Sequence, residues 1–265
     1  MLKMLNMTRC FALSIIVSLS GCSSDGATAA NSAKTNVPSH VSDLAAMPVA
    51  DYEVLFIGNS HSSANGLPNL VAILLESAES GKTANAALAA GYGFLDERVN
   101  DGVTEEALKA RQWTHVFLQA QKYSTTGRYF YPTLAAQTWI KSVKSLYALP
   151  IMFPEWPRYA NKEEGQRIFD LHLSIVSQEA ACVAPVGLVW DASIKRHPDI
   201  KLHAVDGNHS NLNGALLTAY VFFQIISTQP ANVLEYIPEI GVNEVIQAKL
   251  KAVALDFHNL HLPCP

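Results

Sequence analysis

Residues 52–60 read YEVLFIGNS, and this stretch decides the fold. Its first part, YEVLFIG at residues 52–58, is apolar, partly β-branched and ended by glycine, which predicts a buried β-strand. The turn Gly58-Asn59-Ser60 follows at once. A serine just beyond a buried strand lies at the carboxyl end of that strand, where parallel sheets carry their working residues. Ser60 is therefore a candidate nucleophile, although Gly-Asn-Ser is also ordinary turn chemistry.

Strands and helices alternate along the rest of the chain. Apolar runs of strand length lie at residues 52–58, 84–90, 114–119, 149–153 and 186–191. Segments that favour helix lie between and after them, at residues 67–79, 104–111, 132–147, 162–181, 211–227 and 242–256. This alternation predicts an α/β fold with a central parallel sheet of about five strands and helices on both faces.

The composition limits the classes of function. The chain has 265 residues, of which 49% are hydrophobic and 16% are charged, and this suits a single packed domain at residues 51–265. The formal net charge is −4 without a long basic run, so we expect no nucleic-acid partner. The sequence contains no GxGxxG or Walker-type loop, so nucleotide binding has no support. We expect a monomer.

The N-terminus resembles a bacterial lipoprotein leader. A positively charged start precedes CFALSIIVSLS at residues 10–20, an apolar segment too short for a permanent membrane helix. It is followed by Gly-Cys, and Leu-Ser-Gly-Cys resembles the lipobox, so Cys22 is the candidate lipidation site. The alternative is a plain secretory peptide that happens to end in cysteine. The resemblance implies a signal peptide at residues 1–21 and a lipid anchor that holds the protein at a membrane of the bacterial cell envelope.

The segment after the leader has the composition of a linker. Residues 22–50 are mostly small, polar and aperiodic, so we expect a flexible tether between lipid and domain. Ser23, which follows the lipidated cysteine, favours the outer membrane, with the domain facing the periplasm.

Two cysteines remain beyond the leader and the lipidation site. Cys182 and Cys264 would lie in a compartment that permits disulfides. A bond between them would attach the C-terminus to the body of the domain. The alternative is two unpaired thiols, with Cys182 buried.

A second polar motif lies just before a late helix, at Asp206-Gly207-Asn208-His209. An aspartate three residues ahead of a histidine can accept a hydrogen bond from one ring nitrogen, which fixes the tautomer. The other ring nitrogen is then free to act as a base toward a serine. By itself the motif is equally consistent with a polar surface loop.

Taken together, the two motifs resemble the conserved blocks of the SGNH/GDSL hydrolases. The blocks read VLFIGNSHS at residues 54–62 and DGNHSNLNGALL at residues 206–217, in the family's order of Ser, Asp and His. LFIGNS, LQAQ and the late D-x-x-H are similar to a bacterial branch in which Asn replaces the Asp of the first block. The resemblance implies a three-layer, flavodoxin-like sandwich. It also implies a cofactor-free serine esterase in which Ser60 is the nucleophile, His209 the base and Asp206 its partner.

The resemblance also implies an oxyanion hole, the set of donors that stabilises charge on the reacting oxygen. The backbone N–H of Ser60 is one donor of this hole by the resemblance, and Gly91 in AAGYG fits the family's glycine block, with Gly93 as second choice. The third block should read G-x-N-D, but here Leu118-Gln119-Ala120-Gln121 stands in its place. A glutamine amide can donate the same hydrogen bond through one more methylene, so we expect Gln119, or otherwise Gln121, to complete the hole.

Two rival functions remain open on the sequence. Residues 197–209 contain His197, Asp199, His203, Asp206 and His209, which could ligate the metal of a metal-dependent hydrolase, although no H-E-x-x-H spacing is present. The other rival is a lipid-anchored binding protein whose site is inactive.

Three further polar or aromatic residues have less defined expectations. Asp191 could substitute as the acid partner of the histidine, or it could cap a loop. His61 could line the pocket or face solvent, and Trp156 could stack on a sugar ring or pack in the core. For the substrate, the expected envelope location favours small acyl esters, including acyl groups on saccharides or cell-envelope polymers, by analogy at the level of the fold.

Overall fold

The computed structural model describes residues 38–39, 41–258 and 264. The expected signal peptide and the lipidation site Cys22 lie outside these residues. Within the described ranges, no helix is both long and apolar enough to cross a membrane.

A five-stranded parallel sheet forms the centre of the domain. The strands are β1 (Tyr52–Ile57), β2 (Ala84–Leu88), β3 (His115–Gln119), β4 (Leu149–Phe153) and β5 (Cys182–Val183). They lie in the order β2-β1-β3-β4-β5, and each neighbouring pair is parallel. This is the flavodoxin-like order, in which the direction of winding reverses between β1 and β3. The predicted fold class is confirmed.

Helices cover both faces of the sheet. They are α1 (Val41–Ala46), α2 (Ser60–Ser63), α3 (Leu67–Ala78), α4 (Leu95–Arg98), α5 (Val103–Lys109), α6 (Leu134–Ser145), α7 (Glu164–Val176), α8 (Val186–Arg196), α9 (Leu212–Ser227) and α10 (Glu244–Leu255). Residues 64–66, 231–233 and 238–240 form short 3-10 turns. One apolar core lies between the sheet and α3, α8, α9 and α10, and the other between the sheet and α1, α5, α6 and α7.

Alternation along β1 shows how the sequence builds these layers. Val54 and Phe56 belong to the first core, whereas Leu55 and Ile57 belong to the second. Successive side chains of a strand point to opposite faces, so a continuous apolar run is what a strand covered on both faces requires. The strand is therefore fixed in the middle of the molecule, and the residues that follow it emerge at the carboxyl edge of the sheet.

The prediction of a strand at residues 186–191 was wrong. This segment is the first half of α8, and the fifth strand is the two-residue β5 just before it. Val186, Val189, Trp190 and Ser193 are buried, a spacing that belongs to one face of a helix. A short apolar run is ambiguous between strand and buried helix, and here the helix is the outcome.

Part of the expected tether is folded. Residues 41–46 form α1, whose Leu44 is fully buried in the second core. The guanidinium of Arg111 donates to the carbonyl oxygens of Leu44 (2.9 Å) and Met47 (3.3 Å). A buried leucine and satisfied carbonyls attach this segment to the domain, so the domain begins before residue 51.

A disulfide joins Cys182 to Cys264, with the two Cα atoms 4.5 Å apart. Cys182 is fully buried in β5. The bond spans 82 residues of sequence and attaches the C-terminal end of the chain to the edge of the sheet, which is the pairing that the sequence analysis favoured.

Candidate active site

Ser60 lies at the carboxyl end of β1, beside β3, where the direction of winding reverses. The turn that presents it is tight. A Cβ atom on Gly58 would come within 2.2 Å of Gln119 Oε1 and 2.3 Å of Ser62 Oγ, so only glycine fits there. Asn59 then caps the short α2, its Oδ1 accepting from the backbone N–H of His61 (3.0 Å). The local sequence therefore fixes where the serine emerges.

The structure brings Ser60, His209 and Asp206 together. Ser60 Oγ lies 2.8 Å from His209 Nε2, and His209 Nδ1 lies 2.6 Å from Asp206 Oδ2. The other carboxylate oxygen accepts from the backbone N–H groups of Asn208 and His209, both at 2.9 Å. These hydrogen bonds, led by the one from the His209 ring, hold the pKa of Asp206 well below its usual range. This is the arrangement of a charge-relay triad.

The loop that carries His209 is held by backbone bonds. Trp156 Nε1 donates to the carbonyl of Asn208 (2.8 Å). The backbone N–H of Tyr159 donates to the carbonyl of Gly207 (2.8 Å), and that of Ala204 to the carbonyl of His209 (2.8 Å). The loop after β4 thus supports the loop before α9 and positions His209.

Stacked rings lie behind His209. His61 is buried and packs against both His209 and Trp156, with ring centroids 5.0 Å apart in each case. Trp156 in turn stacks on Trp190 at 4.7 Å. Burial lowers the pKa of His61 to about 4, and the nearby His209 is the second cause. His61 therefore stays neutral near pH 7 and adds no positive charge beside the base, and both it and Trp156 are packed rather than exposed.

Gln119 lies at the site but not as an oxyanion donor. Its side chain is fully buried, and its Oε1 accepts from Asn59 N–H (2.7 Å) and Ser62 Oγ (3.0 Å). Its Nε2 donates to the carboxyl group of Glu155. The amide is thus directed away from the serine cavity, which it does not line. Gln119 instead holds the turn that carries Ser60.

The other expected oxyanion donors, Gln121 and Gly91, differ in their surroundings. The Gln121 amide donates to the carbonyl oxygens of Lys122 (2.9 Å) and Pro132 (3.2 Å). Gly91 has φ +78°, and its carbonyl accepts from Arg98 Nη2 (2.6 Å), which also donates to the carbonyl of Gly58, so Gly91 lies beside the turn that carries Ser60. The backbone N–H of Gly91 has no acceptor within the described residues. Neither residue, nor Gly93, lines the cavity. The two glutamine amides are therefore bonded elsewhere, whereas the backbone N–H of Gly91 remains a candidate donor.

Two other donors face the cavity at Ser60. The cavity has a volume of about 530 Å³ and is lined by Asn59, Ser60, His61, Tyr92, Phe94, Lys122, Tyr123, Thr125, Tyr131, Glu155, Arg158, Asn208 and His209. In the part of the chain that the structure describes, neither the backbone N–H of Ser60 nor Nδ2 of Asn59 has an acceptor. Since Asn59 Oδ1 is fixed by the backbone N–H of His61, the amide nitrogen is the atom left for the cavity.

Two buried charged residues support the site and were not assigned from the sequence. Burial raises the pKa of Glu155 to about 7, against the opposing hydrogen bond from Gln119. Arg98 is buried and its guanidinium donates to the carbonyl oxygens of Gly58 and Gly91. It thereby joins the turns that follow β1 and β2. The signal available in the sequence for Glu155 is its place just after β4. Arg98 follows no strand directly, so its role depends on the folded loops.

The histidine- and aspartate-rich segment does not gather into a ligand set. Among the described residues, no group of three or more His, Cys, Asp or Glu side chains could hold a metal ion. His203 Nε2 lies 2.8 Å from the carbonyl oxygen of Pro157, and Asp199 pairs with Lys249. Asp191 lies within α8, and it is Asp206 that contacts His209.

Comparison with known proteins supports the fold. No protein-family model and no curated protein matches this chain. A protein from Slackia heliotrinireducens proposed to be an SGNH hydrolase has a similar structure, with a TM-score of 0.53 and 22% identity over 65% of this chain and 97% of that chain. A DUF4886 family protein from Bacteroides uniformis gives a TM-score of 0.59 and 16% identity over 78% and 94%. The chain therefore has an SGNH-hydrolase-like fold.

Proposed function

We propose that this protein is a serine ester hydrolase. The observation that carries the proposal is the continuous hydrogen-bonded row from Ser60 Oγ through His209 to Asp206, which opens into a cavity of about 530 Å³. A nucleophile, a base and an orienting carboxylate within hydrogen-bond reach are what covalent acyl transfer needs.

Acylation follows from this geometry. Ser60 Oγ attacks the ester carbonyl carbon while its proton passes to His209 Nε2, 2.8 Å away. Asp206 stabilises the imidazolium that forms. The bond from the carbonyl carbon to the alcohol oxygen then breaks, and His209 returns the proton to that oxygen. The alcohol leaves, and the acyl group remains on Ser60.

Two donors in the turn stabilise the oxyanion. The backbone N–H of Ser60 and the side-chain Nδ2 of Asn59 belong to residues that line the cavity, and neither has a competing acceptor within the described residues. Asn59 takes the place of the glutamines, and the backbone N–H of Gly91, beside this turn, remains the third donor. Donors already in position cost no reorganisation when charge develops. Water activated by His209 then attacks the acyl carbon, its proton passes through His209 to Ser60 Oγ, and the acid leaves.

A fluorophosphonate probe tests the proposal. It should label the wild-type protein and not the Ser60→Ala variant, while Asp206→Asn should label more slowly because the ring tautomer is no longer fixed. Absence of labelling would favour an inactive binding protein. Ester hydrolysis that is lost to a chelator and persists in Ser60→Ala would favour the metal-dependent alternative.

We also propose that the substrate is a small acyl ester, carried on a saccharide or envelope polymer, and that the protein is a monomer anchored through Cys22. The proposed anchor rests on the lipobox resemblance, and Ser23 after the cysteine favours the outer membrane, with the domain facing the periplasm. In a bacterial host, Cys22→Ser should move the protein from the membrane to the soluble fraction. Unchanged fractionation would remove the anchor from the proposal.

A further inference from the structure

Exposed aromatic side chains surround the cavity at Ser60. Phe130 is 98% exposed, Tyr129 69%, Tyr159 67% and Tyr92 66%. Two less exposed rings, Tyr131 and Phe94, lie beside them in sequence. We call this set the aromatic rim: Tyr92, Phe94, Tyr129, Phe130, Tyr131 and Tyr159.

The rim is assembled from three separate loops at one edge of the sheet. Its members follow β2, β3 and β4, which all end at the carboxyl edge where Ser60 emerges. Tyr92, Phe94 and Tyr131 line the cavity itself, whereas Tyr129 and Phe130 precede Tyr131 and lie outside it. The rim therefore continues from the cavity onto the surface.

A second cavity adjoins the first on the side of the β4 loop. Its volume is about 500 Å³, and Tyr159 and His203 are among its lining residues. Arg158 lines both cavities, so they are neighbours. A ligand longer than the serine cavity could therefore extend past Arg158 onto Tyr159.

Leaving these rings in water has a cost in free energy. Burying one large apolar side chain stabilises the folded state by about 1.5–3 kcal/mol. The exposed rings of the rim do not contribute this stabilisation. A single exposed ring is ordinary, but a group that converges from separate loops on one site is typical of a contact surface. The rim is therefore placed to meet a ligand at the cavity.

The chemistry of the rim favours a sugar over a lipid. The loop segments 91–94, 122–132 and 157–162, which carry the rim, contain no Leu, Ile, Val or Met, the aliphatic residues that line acyl-chain sites or enter membranes beside aromatic ones. Aliphatic residues line the second cavity instead, at Ile194, Ile200, Leu202 and Val205. Four of the six rim residues are tyrosines. Each combines a flat apolar face with a hydroxyl group, which matches the C–H faces and hydroxyl edges of a pyranose ring.

We propose that the aromatic rim is a binding surface for a glycan chain. One acylated sugar unit enters the cavity at Ser60, and neighbouring units stack on Tyr129 and Phe130. The placement of the ester rests on the proposed hydrolase function, whereas binding of the chain to the rim does not.

The test compares substrates of different length. A panel of O-acetylated oligosaccharides built on xylose, glucose and N-acetylglucosamine, from the monosaccharide to the hexasaccharide, is assayed beside p-nitrophenyl acetate on the full chain. We expect kcat/KM to rise with length for at least one series. Phe130→Ala and Tyr129→Ala should each lower it by about tenfold for the longest member, mainly through KM, and leave p-nitrophenyl acetate unchanged.

Tyr147→Ala is the matched control. Tyr147 is also exposed (93%), but it lies between α6 and β4, at the opposite edge of the sheet. A parallel arm uses Ser60→Ala protein and measures retardation in gels that contain the acetylated polymers. In that background, Phe130→Ala should abolish the retardation and Tyr147→Ala should not.

The outcomes separate this inference from the proposed function. If p-nitrophenyl acetate is not hydrolysed, the hydrolase proposal fails, and the gel arm still tests the rim. If it is hydrolysed but no series shows a dependence on length, the glycan proposal is overturned. It is also overturned if Phe130→Ala leaves the oligosaccharides unaffected and instead reduces cosedimentation with vesicles of phosphatidylethanolamine and phosphatidylglycerol, which would make the rim a membrane contact.

Discussion

At the residue scale, Asn59 uses the two ends of one amide for different purposes. Its oxygen caps α2 by accepting from the backbone N–H of His61, and its nitrogen faces the cavity beside Ser60. Replacing the nitrogen by oxygen separates the two contributions, because an aspartate keeps the capping oxygen and loses the donor.

Asn59→Asp should therefore lower kcat by about 100- to 1,000-fold, the usual effect of losing one oxyanion donor. We expect KM for p-nitrophenyl acetate to change little and the melting temperature to stay near that of the wild type. The matched control is Asn243→Asp, because Asn243 caps α10 in the same way and lies outside the cavity. A kcat within a few-fold of the wild type would remove Asn59 from the oxyanion hole.

Glu155 makes the stability of the protein depend on pH. Burial raises its pKa from 4.5 to about 7, so the folded state keeps a proton that the unfolded state loses in this window. The free energy of unfolding therefore falls as pH rises from about 4.5 to 7 and levels off above it. The glutamine in Glu155→Gln does not titrate. The free energy of unfolding of this variant, relative to that of the wild type, should therefore rise by on the order of 3 kcal/mol as pH goes from 4.5 to about 7.

Urea unfolding at pH 5 and pH 8 measures this difference. Glu105→Gln serves as the control, since Glu105 is exposed on α5 and pairs only with Lys109 at the surface. Parallel pH profiles for Glu155→Gln and the wild type would contradict the assignment.

The role of a residue could be predicted where its side-chain type and its position in the sequence indicate the same function. Ser60 follows a strand, and Asp206 and His209 lie within one turn of chain, so their types and spacing were sufficient to bring them into one hypothesis. The side-chain donor of the oxyanion hole could not be found in this way. The orientation of the Gln119 amide depends on Glu155, which accepts from its Nε2. Glu155 is 36 residues away in sequence.

At the element scale, two glycines allow α7 and α8 to pack closely. A Cβ atom on Gly187 in α8 would lie 2.9 Å from the Cα of Gly165 in α7 and 3.2 Å from the carbonyl oxygen of Glu155. The backbones of α7 and α8 approach because neither glycine has a side chain, and this approach sets the position of Trp190 behind the catalytic loop.

Gly187→Ala should lower the free energy of unfolding by about 1–3 kcal/mol, because overpacking at this contact exceeds the gain in helix propensity. The control is Gly93→Ala, where the nearest atom to an added Cβ is 3.5 Å away. Urea unfolding of both variants gives the comparison. An unchanged midpoint for Gly187→Ala would show that the two helices can separate at little cost.

The strands and helices could be predicted where they are long. β1 is long enough to be recognised as a continuous apolar run, and α3 is long enough to show a helical period. β5 has only two residues, which is too short to show a period, so the apolar start of α8 was assigned as the fifth strand. The local sequence pattern does not indicate that β4 pairs with a strand of only two residues at this edge of the sheet.

At the scale of the whole molecule, the disulfide closes a long loop. It joins Cys182 in β5 to Cys264, 82 residues later. Cross-linking limits the unfolded chain more strongly as the loop grows, and this loop contains α8, α9, α10 and the segment that carries His209.

Cys264→Ser should lower the free energy of unfolding by about 2–5 kcal/mol. The wild type should lose a similar amount in the presence of a reductant, whereas Cys264→Ser should not respond to it. Both proteins carry Cys22→Ser, so that neither a lipid nor a free thiol at residue 22 affects the comparison. Equal stability of the oxidised wild type and Cys264→Ser would show that the bond adds nothing to the fold.

The sheet order and the place of the site could be inferred because winding rules restrict α/β proteins to few arrangements. The attachment of α1 could not, since residues 41–46 have the small-residue composition of the segment before them. The burial of Leu44 in the second core distinguishes this helix from a linker.

The stacked rings behind His209 give the site an optical signal of its own. Trp156 and Trp190 are buried and stacked, with centroids 4.7 Å apart, so both rings are held in a fixed asymmetric environment and should contribute to near-ultraviolet circular dichroism. Trp156 also touches His61, which touches His209. Acylation of Ser60 or movement of the histidine loop should therefore alter this spectrum, and the state of the catalytic base could be followed without any added dye.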